Sequence, residues 1–369
     1  FILLLLIVTA PLIASDSSSL FCVNHRKSKM QNGGSPPVSR QSKKIQTYGT
    51  IVRKPIFGLF SKKLLMSEQT EYADKSPFLK QSSPPSRISL QGRSLPILVM
   101  ITKPDGIDTD DKVEETISTI LNVLRSKIGV NDDQARRCSV DIISLRFSDK
   151  DRFLEQGGED RLRKARFLRI LRSVVLPADE CGCAVVVNGY ENVDVGMAGS
   201  CHGVHLRERE AEYLKDLRER WAVDKKLNSD RSGRILIGLS VHSVDAACES
   251  VGFGDRPDYF LVGTAFPTLS HPEKVDSKDF EGPELAGLIK QKIIEKLSSK
   301  NQPQLETANP SNLVSSPLCI SIGGINASNC HIPMISGADG VAVIGAISSS
   351  KEPEKTAWDL RRSMESAMR

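Results

Sequence analysis

A (β/α)8 barrel, an α/β fold whose parallel sheet closes on itself (a TIM barrel), is the class that the sequence predicts for residues 94–369. Three observations predict it. Eight short apolar runs recur along the stretch, segments with helical periodicity alternate with them, and glycine or polar residues close the runs. One barrel of about 250 residues and a tail account for the length, so no second domain is required.

Ahead of the barrel, residues 1–67 hold ten Lys or Arg and a single acid, Asp16, whereas the remainder holds 40 basic and 44 acidic side chains. The formal net charge of +5 therefore belongs to the leader, and the body is mildly acidic. A nucleic-acid binder concentrates positive charge on its folded domain, so this distribution argues against that class. Phe1 to Ala14 is an apolar run shorter than the ~20 residues that span a bilayer, and it resembles a signal-peptide core. Residues 17–67 are rich in Ser, Lys and Arg and carry no acid, which is transit-peptide composition. The expected destination is the chloroplast, with mitochondrial or secretory targeting as the alternative and no membrane association in the mature form. A disordered tail of no destination is the remaining reading. Residues 68–93, including SSPPSRIS, read as a linker.

The apolar runs are PILVMIT (96–102), VDIISLRF (140–147), CAVVVN (183–188), GVHL (203–206), RILIGLSVH (234–242), DYFLVG (258–263), LCISIGG (318–324) and GVAVIG (340–345). They are continuous rather than alternating. A parallel strand is buried on both faces, by helices outside and the closed interior inside, and needs that pattern. Between the runs, Val113, Ile117, Ile120, Leu121, Leu124 and Ile128 share one helical face, as do Leu162, Ala165, Leu168, Leu171 and Val175. Leu214, Leu217 and Trp221 form a third such face, and Leu285, Leu288, Ile289 and Ile293 a fourth. Pro353 suits a first helical turn ahead of Ala357, Leu360 and Met364. A doubly wound open sheet is the structural rival. Residues 298–317 are polar and rich in Pro and Asn, and read as an insertion on the N-terminal face of the barrel. The eight cysteines form no CxxC pair, so they read as reduced thiols, with Cys181 and Cys183 in core or loop.

Barrels of this kind collect their active site at the C-terminal ends of the strands. After the seventh run comes Gly323-Gly324-Ile325-Asn326, and the eighth closes on Gly345. Paired glycines let a phosphate reach backbone N–H groups, so the seventh and eighth strands predict a phosphate cup; a plain tight turn is the other reading. His242, at the mouth of the fifth strand, has an imidazole suited to proton transfer near neutral pH, against which stands a histidine merely hydrogen-bonded to the rim. His205 lies inside a strand and reads as a satisfied core histidine.

SVHS (240–243), GTAFPTLSHPEK (263–274), SIGGIN (321–326) and GADGVAVIGAI (337–347) resemble the fifth to eighth strand motifs of the thiamine phosphate synthase/TenI family, and residues 185–210 resemble its third and fourth. The resemblance spans residues 96–347 in order and implies a (β/α)8 barrel. It implies one of two activities. A synthase joins a pyrimidine pyrophosphate to a thiazole phosphate with magnesium; a TenI-type member aromatises a thiazole carboxylate phosphate by a proton shift. Thr268 and Ser270 match the hydroxyl pair that holds the thiazole phosphate, and Gly323, Gly324, Ile344 and Gly345 match the rest of that cup. Asn188 and Ser240 match groups facing the pyrimidine, and Arg146 matches the arginine of the pyrophosphate motif, a rim salt bridge being its alternative role.

Several positions depart from the pattern. Ser144 and Ser148 replace the usual glutamine and lysine, His271 stands at another lysine, and Gly345 replaces a usual serine. Gly189 stands at one magnesium-binding aspartate and Glu210 at the second, so Mg2+ is expected only at a degraded site. For Glu210 the other reading is a solvated helix-start carboxylate. Lost cations and a lost ligand weaken stabilisation of a departing pyrophosphate, at roughly 2–4 kcal/mol per key contact. TenI-like tautomerase chemistry with His242 as proton carrier is therefore the expected function. The alternatives are a synthase with an altered metal site and a non-catalytic relative that binds the phosphate ligand. The expected partner is a small phosphorylated thiazole, with no nucleic acid; a homo-oligomer stays open.

Overall fold

In the computed structural model the described residues are 90, 96–126, 138–147, 159–227, 235–252, 255–268, 280–300 and 316–369. The chain falls into two units, Phe1–Phe78 and Leu79–Arg369, and every described residue belongs to the second. The leader, the linker apart from Leu90, and most of the 298–317 insertion lie outside the described residues.

Eight parallel strands close into a barrel in sequence order: β1 (Ile97–Ile101), β2 (Ile142–Leu145), β3 (Ala184–Asn188), β4 (Gly203–Leu206), β5 (Leu236–Val241), β6 (Tyr259–Val262), β7 (Leu318–Ile322) and β8 (Gly340–Val343). Closure is direct, with β8 paired to β1 through Ile97 opposite Gly340, which removes the open-sheet rival. Each strand lies within one of the eight apolar runs. Alternate residues along each strand separate into two clusters. Ile97, Val99, Ile142, Val186, Leu236, Leu261 and Ile320 fill the interior, while Leu98, Ile143, Val185, Ile237, Phe260 and Val341 face the helices.

The helices are α1 (Asp110–Arg125), α2 (Glu159–Glu180), α3 (Val193–Ala198), α4 (Leu214–Leu227), α5 (Val244–Ser250), α6 (Leu285–Lys300), α7 (His331–Ile335), α8 (Gly345–Ser348) and α9 (Pro353–Ala367). Helix α1 begins where Thr109 accepts from Lys112 N at 3.2 Å, followed by Asp110 and Asp111 in the first turn, where acids favour the helix dipole. Pro353 opens α9, and Ala357, Leu360 and Met364 are fully buried. Helix α2 corrects the expected face. Phe167, Ile170, Leu171, Val174, Val175 and Ala178 are buried, whereas Leu162 and Ala165 are exposed. Phe167 meets Phe147 edge-on with ring centroids 4.3 Å apart, and that contact sets the rotation of the helix. None of the described helices is long and apolar enough to cross a membrane. None of the seven described cysteines is in a disulfide, and Cys183 is buried and Cys181 half-buried.

The N-terminal end of the barrel is held by one arrangement used four times. Asp141, His202, Asp258 and Asp339 each precede an even-numbered strand. Their side chains accept from the preceding odd strand, at Leu98 N (2.9 Å), Val185 N (2.8 Å), Ile237 N (2.7 Å) and Cys319 N (2.8 Å) respectively. Their own N–H groups donate back to the carbonyls of those four residues, and their carbonyls accept from the next odd strand, at Ala184, Leu236, Leu318 and Ile97. A further side chain holds each one: Arg361 on Asp141, Asp179 on His202 (2.7 Å), Arg218 on Asp258 (3.0 Å) and Lys290 on Asp339 (2.6 Å). Because His202 Nδ1 accepts an N–H, its Nε2 carries the proton and donates to Asp179.

Candidate active site at the barrel mouth

All eight strands run the same way, so the residues that follow them share one rim. Ser144, Asn188, His205 and Ser240 have the parity of the interior cluster and line its upper layer, with Arg146, Arg207 and His242 one step beyond, at the mouth.

His205 is buried, its Nε2 is 2.9 Å from Ser240 Oγ, and its ring stacks on Tyr259 at 5.6 Å between centroids. Gly238 makes room for this pair, since a Cβ there would lie 2.5 Å from His205 Nδ1 and 2.2 Å from Tyr259 Cζ. Burial first, then the charges of Arg146 and Arg207, lowers the His205 pKa to about 3. The ring is therefore neutral near pH 7. It orients the Ser240 hydroxyl. The core-histidine expectation is met at Nε2 but not at Nδ1, which is buried without a hydrogen-bond partner, as are Ser144 Oγ and Tyr259 OH.

His242 differs on each count. Its side chain is 53% exposed, and its Nδ1 lies 3.5 Å from Glu281 Oε1. Its backbone N–H donates to Glu208 Oε2 at 2.8 Å, which fixes the end of β5. The Glu281 carboxylate also accepts from Thr264 N, while Glu281 N and Gly282 N donate to Thr264 O at 3.0 and 3.2 Å. Glu281 thus joins the ends of β5 and β6 and gives the imidazole a carboxylate neighbour.

Thr264 leads to the glycine pair. Ala265 N and Phe266 N donate to Ile322 O and Gly323 O at 2.9 and 3.1 Å. Gly324 has φ +63°, and a Cβ on it would lie 2.4 Å from Pro267 O, so this close approach admits only glycine. Asn329 Nδ2 donates to Gly324 O at 3.0 Å and pins the loop. Thr268 is half-buried immediately after Pro267. On the other side β7 pairs with β8, which runs into Ile344 and Gly345. Thr268, Gly323, Gly324, Ile344 and Gly345 therefore belong to one side of the rim, next to His242 through Glu281. Ser270 and His271 lie outside the described residues.

On the opposite side, half-buried Arg146 is fixed through its main chain: Arg146 N donates to Thr102 Oγ1 at 2.9 Å, and that hydroxyl donates to Arg146 O at 3.1 Å. Glu210 lies in the first turn of a 3-10 segment (Glu208–Tyr213) but is buried rather than solvated. Its Oε2 accepts from Arg207 N (3.0 Å) and Tyr190 N (3.3 Å), and its Oε1 accepts from Arg207 Nη1 (2.9 Å). Gly189 has φ +88°, and the carboxylate of Glu191 occupies the space beside it, 2.4 Å from where a Cβ would stand. That carboxylate meets Arg207 through both oxygens, at 2.6 and 3.3 Å.

Mg2+ demands oxygens in near-octahedral array. Here the two carboxylates converge on a guanidinium and the oxygens of Glu210 are committed to N–H donors, so the donor set does not fit the ion. Among the described residues no group of three or more His, Cys, Asp or Glu is placed to hold a metal.

Sequence reasoning missed Glu281, Glu191 and Arg207. Glu281 lies 19 residues beyond the last residue of β6 with no motif around it. Glu191 and Arg207 lay inside the quoted third and fourth motifs, but only the φ of Gly189 brings Glu191 back over the rim.

The sequence matches the TMP-TENI family, described as thiamine monophosphate synthase, over residues 133–347. The thiamine-phosphate synthase of Geobacillus kaustophilus is 28% identical over 221 residues, 58% of this chain and 79% of that protein. That of Listeria monocytogenes is 36% identical over 121 residues, 33% of this chain and 45% of that protein. Among solved structures, the thiamine phosphate pyrophosphorylase of Pyrococcus furiosus is similar at 19% identity and a TM-score of 0.45, covering 74% of this chain and 97% of that one.

Proposed function

The chain belongs to the thiamine monophosphate synthase family, with its place in thiamine biosynthesis, and from that premise we propose that it catalyses a TenI-like proton shift on a thiazole carboxylate phosphate. The observation that carries this reading is the His242–Glu281 pair, 3.5 Å apart at an accessible mouth beside the glycine loop. In the proposed step, His242 removes a proton from a ring carbon and the released electron pair forms the new ring double bond. The proton returns at the position whose double-bond electrons were displaced, so nothing is gained or lost. Glu281, 3.5 Å from Nδ1, orients the imidazole. The ester phosphate sits against Gly323, Gly324, Ile344 and Gly345 with the Thr268 hydroxyl. Arg146 pairs with the carboxylate, while Asn188 and Ser240 face the ring. No divalent ion takes part.

A second reading, a synthase that releases pyrophosphate, is favoured by the Geobacillus and Listeria relatives, which are thiamine-phosphate synthases. Turnover separates the two. The purified chain should aromatise the thiazole carboxylate phosphate in EDTA and release no pyrophosphate from a pyrimidine pyrophosphate and thiazole phosphate in Mg2+. Metal-dependent pyrophosphate release without aromatisation would establish the synthase, and inactivity in both assays would leave a binding protein.

The cup has its own test. A Cβ at Gly345 would meet only Ser349 Oγ, at 4.0 Å, so a serine fits there without displacement. Gly345→Ser is expected to fold like the parent. By isothermal titration it should bind the thiazole phosphate about tenfold more tightly, the effect of one added hydrogen bond of ~1.5 kcal/mol to a charged group. Unchanged affinity would place the ester elsewhere. The expected chloroplast targeting is proposed on leader composition alone, and import of a fluorescent fusion to residues 1–93 would test it.

A further inference from the structure

We propose that Arg207 is a built-in cation, its guanidinium clamped between Glu191 and Glu210 where a divalent ion would otherwise be drawn, so that this side of the barrel mouth is closed to metal. The inference goes beyond the proton-shift reading and does not depend on it.

Three features carry it. The first is geometry. Nη2 of Arg207 lies 2.6 Å from Glu191 Oε1, and Nη1 lies 3.3 Å from Glu191 Oε2 and 2.9 Å from Glu210 Oε1. A planar fork with several fixed donors suits two carboxylates in this way, and a lysine point charge does not. The second is commitment of the acceptors. Glu210 also takes the N–H groups of Arg207 and Tyr190 on its other oxygen, so an incoming ion would have to break backbone contacts as well as a salt bridge. The third is how the carboxylates arrive. Position 189 is a glycine at φ +88°, a conformation costly to an aspartate, and the local negative charge comes instead from Glu191, which folds back into the space beside that glycine.

The relative exposures agree: the side chains of Glu210, Arg207 and Glu191 are 8%, 22% and 35% exposed. The clamp is thus sheltered from water on its Glu210 side, where a charge pair is screened least. Removing only the cation would leave two carboxylates facing each other, an arrangement that attracts a replacement ion.

Mn2+ is the probe, titrated into the full-length chain without ligand and read as the loss of the free-ion signal in electron paramagnetic resonance. The wild type should take up no more Mn2+ than a Glu191→Gln variant. Arg207→Met keeps much of the side-chain stem and removes the charge. It should gain one Mn2+ site per chain that the wild type lacks, and Arg207→Met with Glu191→Gln should lose that site again. Arg207→Gln serves as the second cation-free variant should the methionine fail to fold, and Arg207→Lys, which restores a cation, should abolish the gained site. A wild-type site that disappears in Glu191→Gln would overturn the proposal. So would folded Arg207→Met and Arg207→Gln variants that take up no ion. Because turnover is never read, failure here leaves the proton-shift reading standing, and the reverse holds equally.

Discussion

Replacing His242 by glutamine should lower the turnover number for thiazole aromatisation by about 10²–10⁴-fold, the range lost when a positioned general acid–base is removed. The Michaelis constant should change little, because the proposed phosphate cup lies on the neighbouring side of the mouth. The melting temperature should also stay within a degree or two of the parent, since the imidazole is half in solvent and supports no core packing. Glu281→Gln should show a smaller loss of turnover. The amide oxygen can still accept from Thr264 N, so the end of β6 keeps its anchor while the imidazole loses its anionic neighbour. Wild-type rates in His242→Gln would remove the assignment, whatever the remaining geometry suggests.

The second large effect is on stability, at the other end of the barrel. Arg361 is buried on α9 and donates to Ser139 O at 3.0 and 2.8 Å, to Pro96 O and to the carboxylate of Asp141, itself fully buried. Arg361→Ala removes one partner of a desolvated pair and leaves Asp141 as an uncompensated buried charge, which typically costs about 3–5 kcal/mol. For a domain of this size that lowers the midpoint of thermal unfolding by roughly 10 °C. Arg362→Ala is the control. Its guanidinium lies over the exposed face of Trp358, 5.2 Å from the ring centroid, a contact of about 0.5–1 kcal/mol. Equal shifts in the two variants would show that Arg361 stabilises no more than a surface arginine.

The contrast between these residues shows what a sequence can disclose. The barrel was legible because a strand buried on both faces has no choice of composition: VVV at 185–187 or ILVMI at 97–101 can be little else once turns bound them. Helix α2 was legible as a helix but not in its rotation. EDRLRKARFLRILRSVVLPADE carries apolar residues around most of its circumference, and the barrel and Phe147 choose among the possible faces. The rim residues were legible as positions, since strand ends can be counted, and His242, Arg146 and the glycine pair could be named. Their partners could not. Glu281 comes back from a long connection, and Arg361 looks like any polar residue of an amphipathic helix until the fold turns it inward. Contacts distant in sequence leave no local pattern.

Asp141, His202, Asp258 and Asp339 together act as a belt: each laces an even strand to both of its odd neighbours, and the last reaches round to β1. Cohesion is thereby invested at the floor of the molecule, some three to six residues per strand away from the rim. Chemistry at the top can then drift without loosening the whole. Changes at Gly189, Arg207 or His242 alter the mouth while the girdle beneath keeps the staves together. A scaffold arranged in this way invites rewriting of its rim by directed evolution, and libraries confined to residues 146, 189–191, 207–210 and 242 should retain folded protein far more often than equal-sized libraries at 139–141, 202, 258 and 339.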